Sequence, residues 1–178
     1  LCEQLHLPLQ SGSDRVLRRM RRWYTIETYY QKVAMLRGLL PDVSLSTDII
    51  VGFPGETDEE FEMTIEAIRK MRFDLIYSFK YSPRPGTRAA DYPDHLSESV
   101  KSKRLKILLE TQGKIVREKF QDFVGTEHEV LIEGNHHRKA DTVMGRTRGN
   151  HPVSIKNSTK QAGELISVVI TKANQNSL

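Results

Sequence analysis

The chain has 178 residues, a net charge of +4 and a pI near 9.2, with 38% hydrophobic and 28% charged residues. That suits one large or two small globular domains; it excludes wholesale disorder, and the absence of a long apolar run excludes a membrane-spanning helix. A single cysteine, Cys2, excludes an internal disulfide framework and any iron–sulfur cluster held by several cysteines of this chain. It fits a reducing, cytoplasmic setting, and Cys2 itself reads as a small buried hydrophobe at the start of a strand. The opening, Leu1 to Leu9, has neither an initiator Met nor the basic start of a signal peptide, so the sequence reads as beginning inside a longer protein.

Residues 3–9 (EQLHLPL) alternate as a short strand does, and Gln10-Ser11-Gly12-Ser13-Asp14 breaks the pattern as a turn. Ser13 or Asp14 caps a short helix running to about Arg22. Thr25 opens a second helix with Tyr29, Val33, Leu36 and Leu40 spaced for one apolar face, stopped by Pro41-Asp42. Residues 43–51 (VSLSTDIIV) are rich in β-branched side chains and predict a strand. Gly52-Phe53-Pro54-Gly55 is a tight connection, and Thr57 with Glu60 forms the capping-box pattern T-x-x-E. The helix after it carries Phe61, Ile65, Ile68 and Met71. Residues 74–81 predict a strand, 82–87 (SPRPGT) a rigid loop, 88–96 an exposed loop, and 97–123 a long helix.

Strands alternating with helices imply crossover connections and a parallel sheet. Ligands then bind beyond the C-terminal strand ends, so loops 10–13, 52–56 and 82–87 should share one rim. Ser46 and Asp48 alternate on their strand and face the same way. Arg84, braced between Pro83 and Pro85, suits a carboxylate or phosphate. Phe53 reads as packing.

After Gly125 the pattern changes. Residues 127–133, 141–147, 152–156 and 164–171 read as short strands separated by turn residues, as in a small barrel or sandwich. This places a domain boundary near Gly125, dividing the chain into residues 1–124 and 125–178. Two basic stretches, Arg15 to Arg22 and Lys101 to Lys119, each predict a basic helical face. His136, His137 and His151 read as loop histidines rather than metal ligands.

Three long segments carry a resemblance. CEQLHLPLQSGSDRVLRRM, STDIIVGFPGETDEEFEMTIE and YSFKYSPRPGTRAA, in that order, resemble the fourth to sixth strands and their exits in the radical S-adenosylmethionine methylthiotransferases. GTEHEVLIEG with GRTRGNHPVSI is similar to the family's C-terminal TRAM domain, and QSGSD with GRT-x-x-N resembles the tRNA-modifying type. The resemblance implies an α/β fold: a partial radical SAM (β/α) barrel followed by a small all-β, OB-like TRAM barrel.

It also implies a methylthio transfer to C2 of an N6-modified adenosine 37 in the anticodon loop of tRNA, with S-adenosylmethionine and two 4Fe–4S clusters as cofactors. The family's C-x-x-x-C-x-x-C motif does not occur here, so the cluster ligands would lie in an N-terminal part of the same protein, and this chain alone should be inactive. As the resemblance implies, Gln10, Ser11, Gly12, Ser13, Ser46, Asp48, Ile50, Gly52 and Arg84 contribute to the S-adenosylmethionine site. The superfamily's glutamate falls one residue late, at Glu56, which leaves its role open between cofactor and helix cap. Arg138, Lys139, Arg146, Arg148 and Lys156 are the RNA candidates. No Phe, Trp or Tyr follows Phe123, so phosphate contact and shape should outweigh base stacking in the last domain. Two other readings stand beside this one: a methylthiotransferase acting on an aspartate of a ribosomal protein, and a non-catalytic RNA-binding module.

Overall fold

The structure is a computed structural model that describes residues 2–136, 141–174 and 177–178. It divides into two compact units: His6–Pro41 with Leu45–Ile115, and Leu1–Leu5 with Asp42–Ser44 and Val116–Leu178.

The α/β unit is built on a three-stranded sheet in the order β1 (Gln4–His6), β2 (Ser44–Val51), β3 (Leu75–Lys80). β2 and β3 run parallel, with Ser46 opposite Leu75 and Ile50 opposite Phe79. The chain after β1 stays beside β2: Leu7 N–H donates to Ser46 O and Gln10 N–H to Asp48 O. Alternation along β2 sorts its side chains. Leu45, Thr47, Ile49 and Val51 are fully buried under the helices, whereas Ser46, Asp48 and Ile50 take the other face.

Three helices supply that cover. α1 (Asp14–Arg19) is capped by Ser13, whose hydroxyl accepts from Val16 N–H; α2 (Ile26–Leu39) is capped by Thr25 in the same way. α3 (Asp58–Met71) begins with the reciprocal capping box of Thr57 and Glu60, and buries Phe61, Ile65, Ile68 and Met71. α2 buries only Tyr29 and Val33 of its four spaced apolar residues; Leu36 is half-buried and Leu40, at the helix end, is 46% exposed because the helix stops before it.

α4 (Glu98–Asp122) follows a short 3₁₀ turn at Arg88–Asp91. Its basic residues do not form a uniform solvated face. Lys101 and Arg104 are buried, because Tyr81 O and Glu98 hold the first and Glu56 and Asp58 hold the second. Among the described residues no helix is long and apolar enough to cross a membrane.

The other unit carries an open four-stranded antiparallel sheet, order β6 (Pro152–Lys156), β5 (Thr142–Thr147), β4 (Glu127–Asn135), β7 (Leu165–Val169). A closed barrel was expected. Among the described residues β6 and β7 remain edges, although Ser154 N–H to Leu178 O and Leu178 N–H to Pro152 O add a short pairing beside β6. Its core is Phe120, Val130, Ile132, Val143, Val153, Ile170 and Leu178. His151 lies in the β5–β6 connection, as expected, but it is buried there, and its ring meets Phe120 and Phe123 edge-on at 5.5 and 5.0 Å. Cys2 is exposed, not buried, since it precedes the first paired residue of β1.

Candidate cofactor and nucleic-acid sites

Beyond the C-terminal ends of β1, β2 and β3 lies a cavity of about 640 Å³. Gln10 follows β1, Ile50 and Phe53 come from the end of β2 and its loop, and Phe79 to Ser82 end β3; Arg84, Gly86 and Thr87 supply the far wall. The size falls within the range of small-molecule sites, and apolar side chains share the lining with polar and cationic ones. Its cations are numerous: Arg19, Arg21, Arg22, Lys80, Arg84 and Arg88 line it, and no carboxylate does. The loop after β3 is tied back by one residue. Asp94 accepts from Arg19 Nη2 at 2.8 and 2.9 Å, its carbonyl accepts from Gly55 N–H, and Arg19 lies 4.5 Å over the Tyr92 ring.

The turn after β1 splits by role. Gln10 has a left-handed backbone (φ 70) and lines the cavity. Ser11, Gly12 and Ser13 are buried against α3 instead. Gly12 N–H donates to Thr64 Oγ1, and a Cβ on Gly12 would stand 2.5 Å from Met63 O, so only glycine fits. Ser13 Oγ donates to Glu60 Oε1 while capping α1. Arg15 closes the arrangement with a bidentate pair to Glu60, at 2.7 and 2.6 Å. These hydrogen bonds, Arg15 first, pull the Glu60 carboxyl down to about 2.

The loop after β2 is equally fixed. Gly52 (φ 71) passes over the Lys101 stem, where a Cβ would collide. Glu56 is neither exposed nor a helix cap: its Oε2 accepts from Gly52 N–H at 2.7 Å and from Arg104 Nη1 at 2.6 Å. Burial pushes its carboxyl up, against the pull of Gly52 N–H and Arg104. Phe53 packs edge-on against Tyr81 at 5.1 Å while lining the cavity.

Ser46 and Asp48 do not line the cavity; they lie on the sheet face opposite Leu45, Thr47 and Ile49, Ser46 buried and Asp48 half-buried, with Ile50 next along the strand. There they meet His6, which belongs to none of the site motifs. His6 Nδ1 is 3.0 Å from Ser46 Oγ, His6 Nε2 is 3.5 Å from Asp48 Oδ2, and the ring meets Tyr77 edge-on. The signal available was position: His6 lies on β1 where alternation places it on the same face as Ser46 and Asp48.

In the other unit, Arg146 on β5 is exposed and bonds Glu133 Oε1 and the Asn150 side chain and carbonyl. Arg148 pairs with Glu129 at 3.1 Å and Glu3 at 3.7 Å. Lys156 ends β6, exposed. Arg138 and Lys139 lie outside the described residues. Among the described residues no group of His, Cys, Asp and Glu could hold a metal ion.

Residues 2–68 match the Radical SAM superfamily model and residues 121–178 the TRAM domain model. Proteins called tRNA-2-methylthio-N(6)-dimethylallyladenosine synthase are similar along the chain: 43% identical in Pelotomaculum thermopropionicum and 47% in Methylacidiphilum infernorum, each over 97% of this chain, and 46% in Thermodesulfovibrio yellowstonii over all of it. The chain spans 39%, 37% and 41% of those relatives' lengths. The solved structure of coproporphyrinogen III oxidase (HemN) from Escherichia coli, a radical SAM enzyme, aligns over 95% of this chain and 46% of its own with a TM-score of 0.51 at 14% identity, a likeness of fold. Residues 2–68, which hold β1, β2 and the loops after them, are thus similar to the radical SAM superfamily, and residues 121–178, which hold the antiparallel sheet, are similar to the TRAM domain.

Proposed function

We propose that the protein acts in methylthio transfer to C2 of an N6-modified adenosine 37 in the tRNA anticodon loop, in the cytoplasm, with residues 1–124 forming part of the S-adenosylmethionine site and residues 125–178 binding RNA. The observation that carries this is the cavity at the C-terminal strand ends, where Gln10 from after β1, Ile50 from the end of β2 and Arg84 from after β3 converge.

The cavity suits S-adenosylmethionine. Ile50, Phe53 and Phe79 offer apolar surface for an adenine ring, Gln10 offers an amide, and Arg84 a guanidinium for the methionyl carboxylate. Bound there and reduced by one electron, one S-adenosylmethionine would supply a carbon-centred radical able to break an unactivated C–H bond, and a second molecule would supply the methyl group. Ser11, Gly12, Ser13 and Gly52 act through shape: they lock the loops whose neighbours face the cavity. Ser46 and Asp48, with His6, present hydrogen-bonding groups on the sheet face next to Ile50. An iron–sulfur cluster does not fit the residues described here. Cys2 is the single cysteine and is exposed, and no group of His, Cys, Asp and Glu among the described residues could hold a metal ion.

Arg146, Arg148 and Lys156, with Arg138 and Lys139, are assigned to tRNA phosphates. The test is mass spectrometry of nucleosides from tRNA incubated with the intact, cluster-reconstituted gene product, S-adenosylmethionine and reductant. A methylthio-adenosine is the expected product. Cofactor cleavage with no modified nucleoside would redirect the reading to a protein aspartate; no cleavage with verified clusters would leave an RNA-binding module.

A further inference from the structure

Trp23, the single tryptophan of the chain, is 90% exposed. One open apolar side chain is ordinary; its surroundings are not. It directly follows Arg21 and Arg22, both exposed and both lining the cavity, as do Arg84 and Arg88 of the post-β3 loop. Arg19 and Lys80 are neutralised by Asp94 and Glu98, but Arg21, Arg22, Arg84 and Arg88 have no ion pair among the described residues. Four uncompensated guanidinium groups around one cavity attract a polyanion.

The segment is also rigid. Met20, Arg21 and Arg22 N–H groups bond back to Val16, Arg18 and Leu17 carbonyls, and Arg21 is held in the left-handed region (φ 58), where a non-glycine residue sits at a cost. On the other side Tyr24 Oη donates to the Pro8 and Leu9 carbonyls, and Ile26 N–H donates to Asp14. The indole is thus carried on a short turn pinned at both ends, so little ordering is needed when something stacks on it. A flat π-surface beside free guanidinium groups matches the chemistry of unpaired nucleotides, which stack a base and present a phosphate in each repeat. A protein partner would need a wider apolar patch than this one ring.

We propose that Trp23 is a stacking platform for an unpaired base of the RNA substrate, with Arg21, Arg22 and Arg88 holding the flanking phosphates, so that the α/β unit reads the RNA loop itself and does not leave binding to the TRAM domain. This rests on the RNA-substrate reading above and adds a contact that the absence of aromatic residues after Phe123 leaves unfilled.

The experiment uses the intact gene product and a hairpin RNA with 2-aminopurine in its single-stranded loop, reading affinity by anisotropy across salt and stacking by quenching of the 2-aminopurine. The expected results separate the two parts. Trp23→Ala weakens binding about tenfold, the scale of one base–aromatic stack, loses the quenching and keeps the salt slope; Trp23→Phe restores most of both. Arg21→Gln with Arg22→Gln lowers the salt slope by about two and keeps the quenching. Because Trp23 is almost fully exposed, its replacement does not threaten the fold. If Trp23→Ala binds and quenches like wild type while Arg146→Glu with Arg148→Glu abolishes binding, the RNA reading stands and the platform is overturned. A wild-type protein that binds no RNA overturns both.

Discussion

Arg104 Nη1 donates to Glu56 Oε2 at 2.6 Å, and the two side chains are 5% and 1% exposed. This buried pair joins α4 to the loop after β2, and through Gly52 N–H it fixes the backbone that leads to Phe53 and the cavity. Removing one partner strands the other charge. Arg104→Ala should therefore cost about 3–5 kcal/mol in urea unfolding, while Glu56→Met with Arg104→Met recovers much of that loss. An Arg104→Ala loss below about 1 kcal/mol would show that the pair does not hold the loop.

Gly12→Ala tests the close approach to α3. The added methyl meets Met63 O and Thr64 Cα at 2.5 and 2.6 Å, both backbone atoms of a helix. Overpacking of this kind costs about 1–3 kcal/mol, and here the helix would have to move. The midpoint of denaturation should fall with no change in slope; an unchanged midpoint would mean the turn relaxes freely.

Acid should unfasten the Glu60 cluster. The folded carboxyl lies near 2 against an ordinary 4.5, so its contribution is complete above about 4.5 and fades as pH falls toward 2. Arg15 is 46% exposed, so the contribution is about 1–2 kcal/mol, less than the full shift implies. In Glu60→Gln the part of the stability lost between those two pH values should shrink by that amount; identical pH profiles for both proteins would dissociate Glu60 from acid stability.

Arg84 is placed to meet a carboxylate in the cavity. Arg84→Gln should weaken S-adenosylmethionine binding by about tenfold, the loss of one charge-assisted hydrogen bond, as read by calorimetry on the reconstituted protein. Equal affinity would move the carboxylate to Arg21, Arg22 or Arg88.

Arg146 and Arg148 are held by Glu133, Glu129 and Glu3, so phosphate must displace these carboxylates. Arg146→Glu with Arg148→Glu should weaken tRNA binding and flatten its salt dependence by about two. Glu129→Gln with Glu133→Gln should tighten it by removing the nearer carboxylate from each guanidinium group. Affinities that ignore all four changes would remove this face from RNA binding.

Much of this architecture was legible because its causes are local. The T-x-x-E pattern at Thr57 and Glu60 forms its reciprocal cap, and Ser13 and Thr25 cap the helices they precede. Alternation on β2 placed Ser46 and Asp48 on one face. Gln10, Ile50 and Arg84 meet because parallel strands end on one side, a rule of topology. What escaped depends on distant partners. Lys101 and Arg104 resemble any basic helix face until Glu56, 48 residues before Arg104, is known to lie beneath it. Nothing in QSGS itself says that Gln10 turns outward while Ser11 and Ser13 turn to α3, because that follows from Thr64 and Glu60. Arg146 and Arg148 carry carboxylate partners that only strand pairing and the fold bring within reach.

The clasp at Asp94 has a thermodynamic corollary. It closes the segment carrying Arg84 with one carboxylate, one guanidinium and one peptide N–H, all near the surface. A guest that contacts Arg84 favours the fastened segment over any unfastened one, and by reciprocity whatever strengthens the clasp raises the guest's affinity by the same factor. Ionic strength, which weakens exposed pairs, then becomes an effector of cofactor affinity without touching the cofactor.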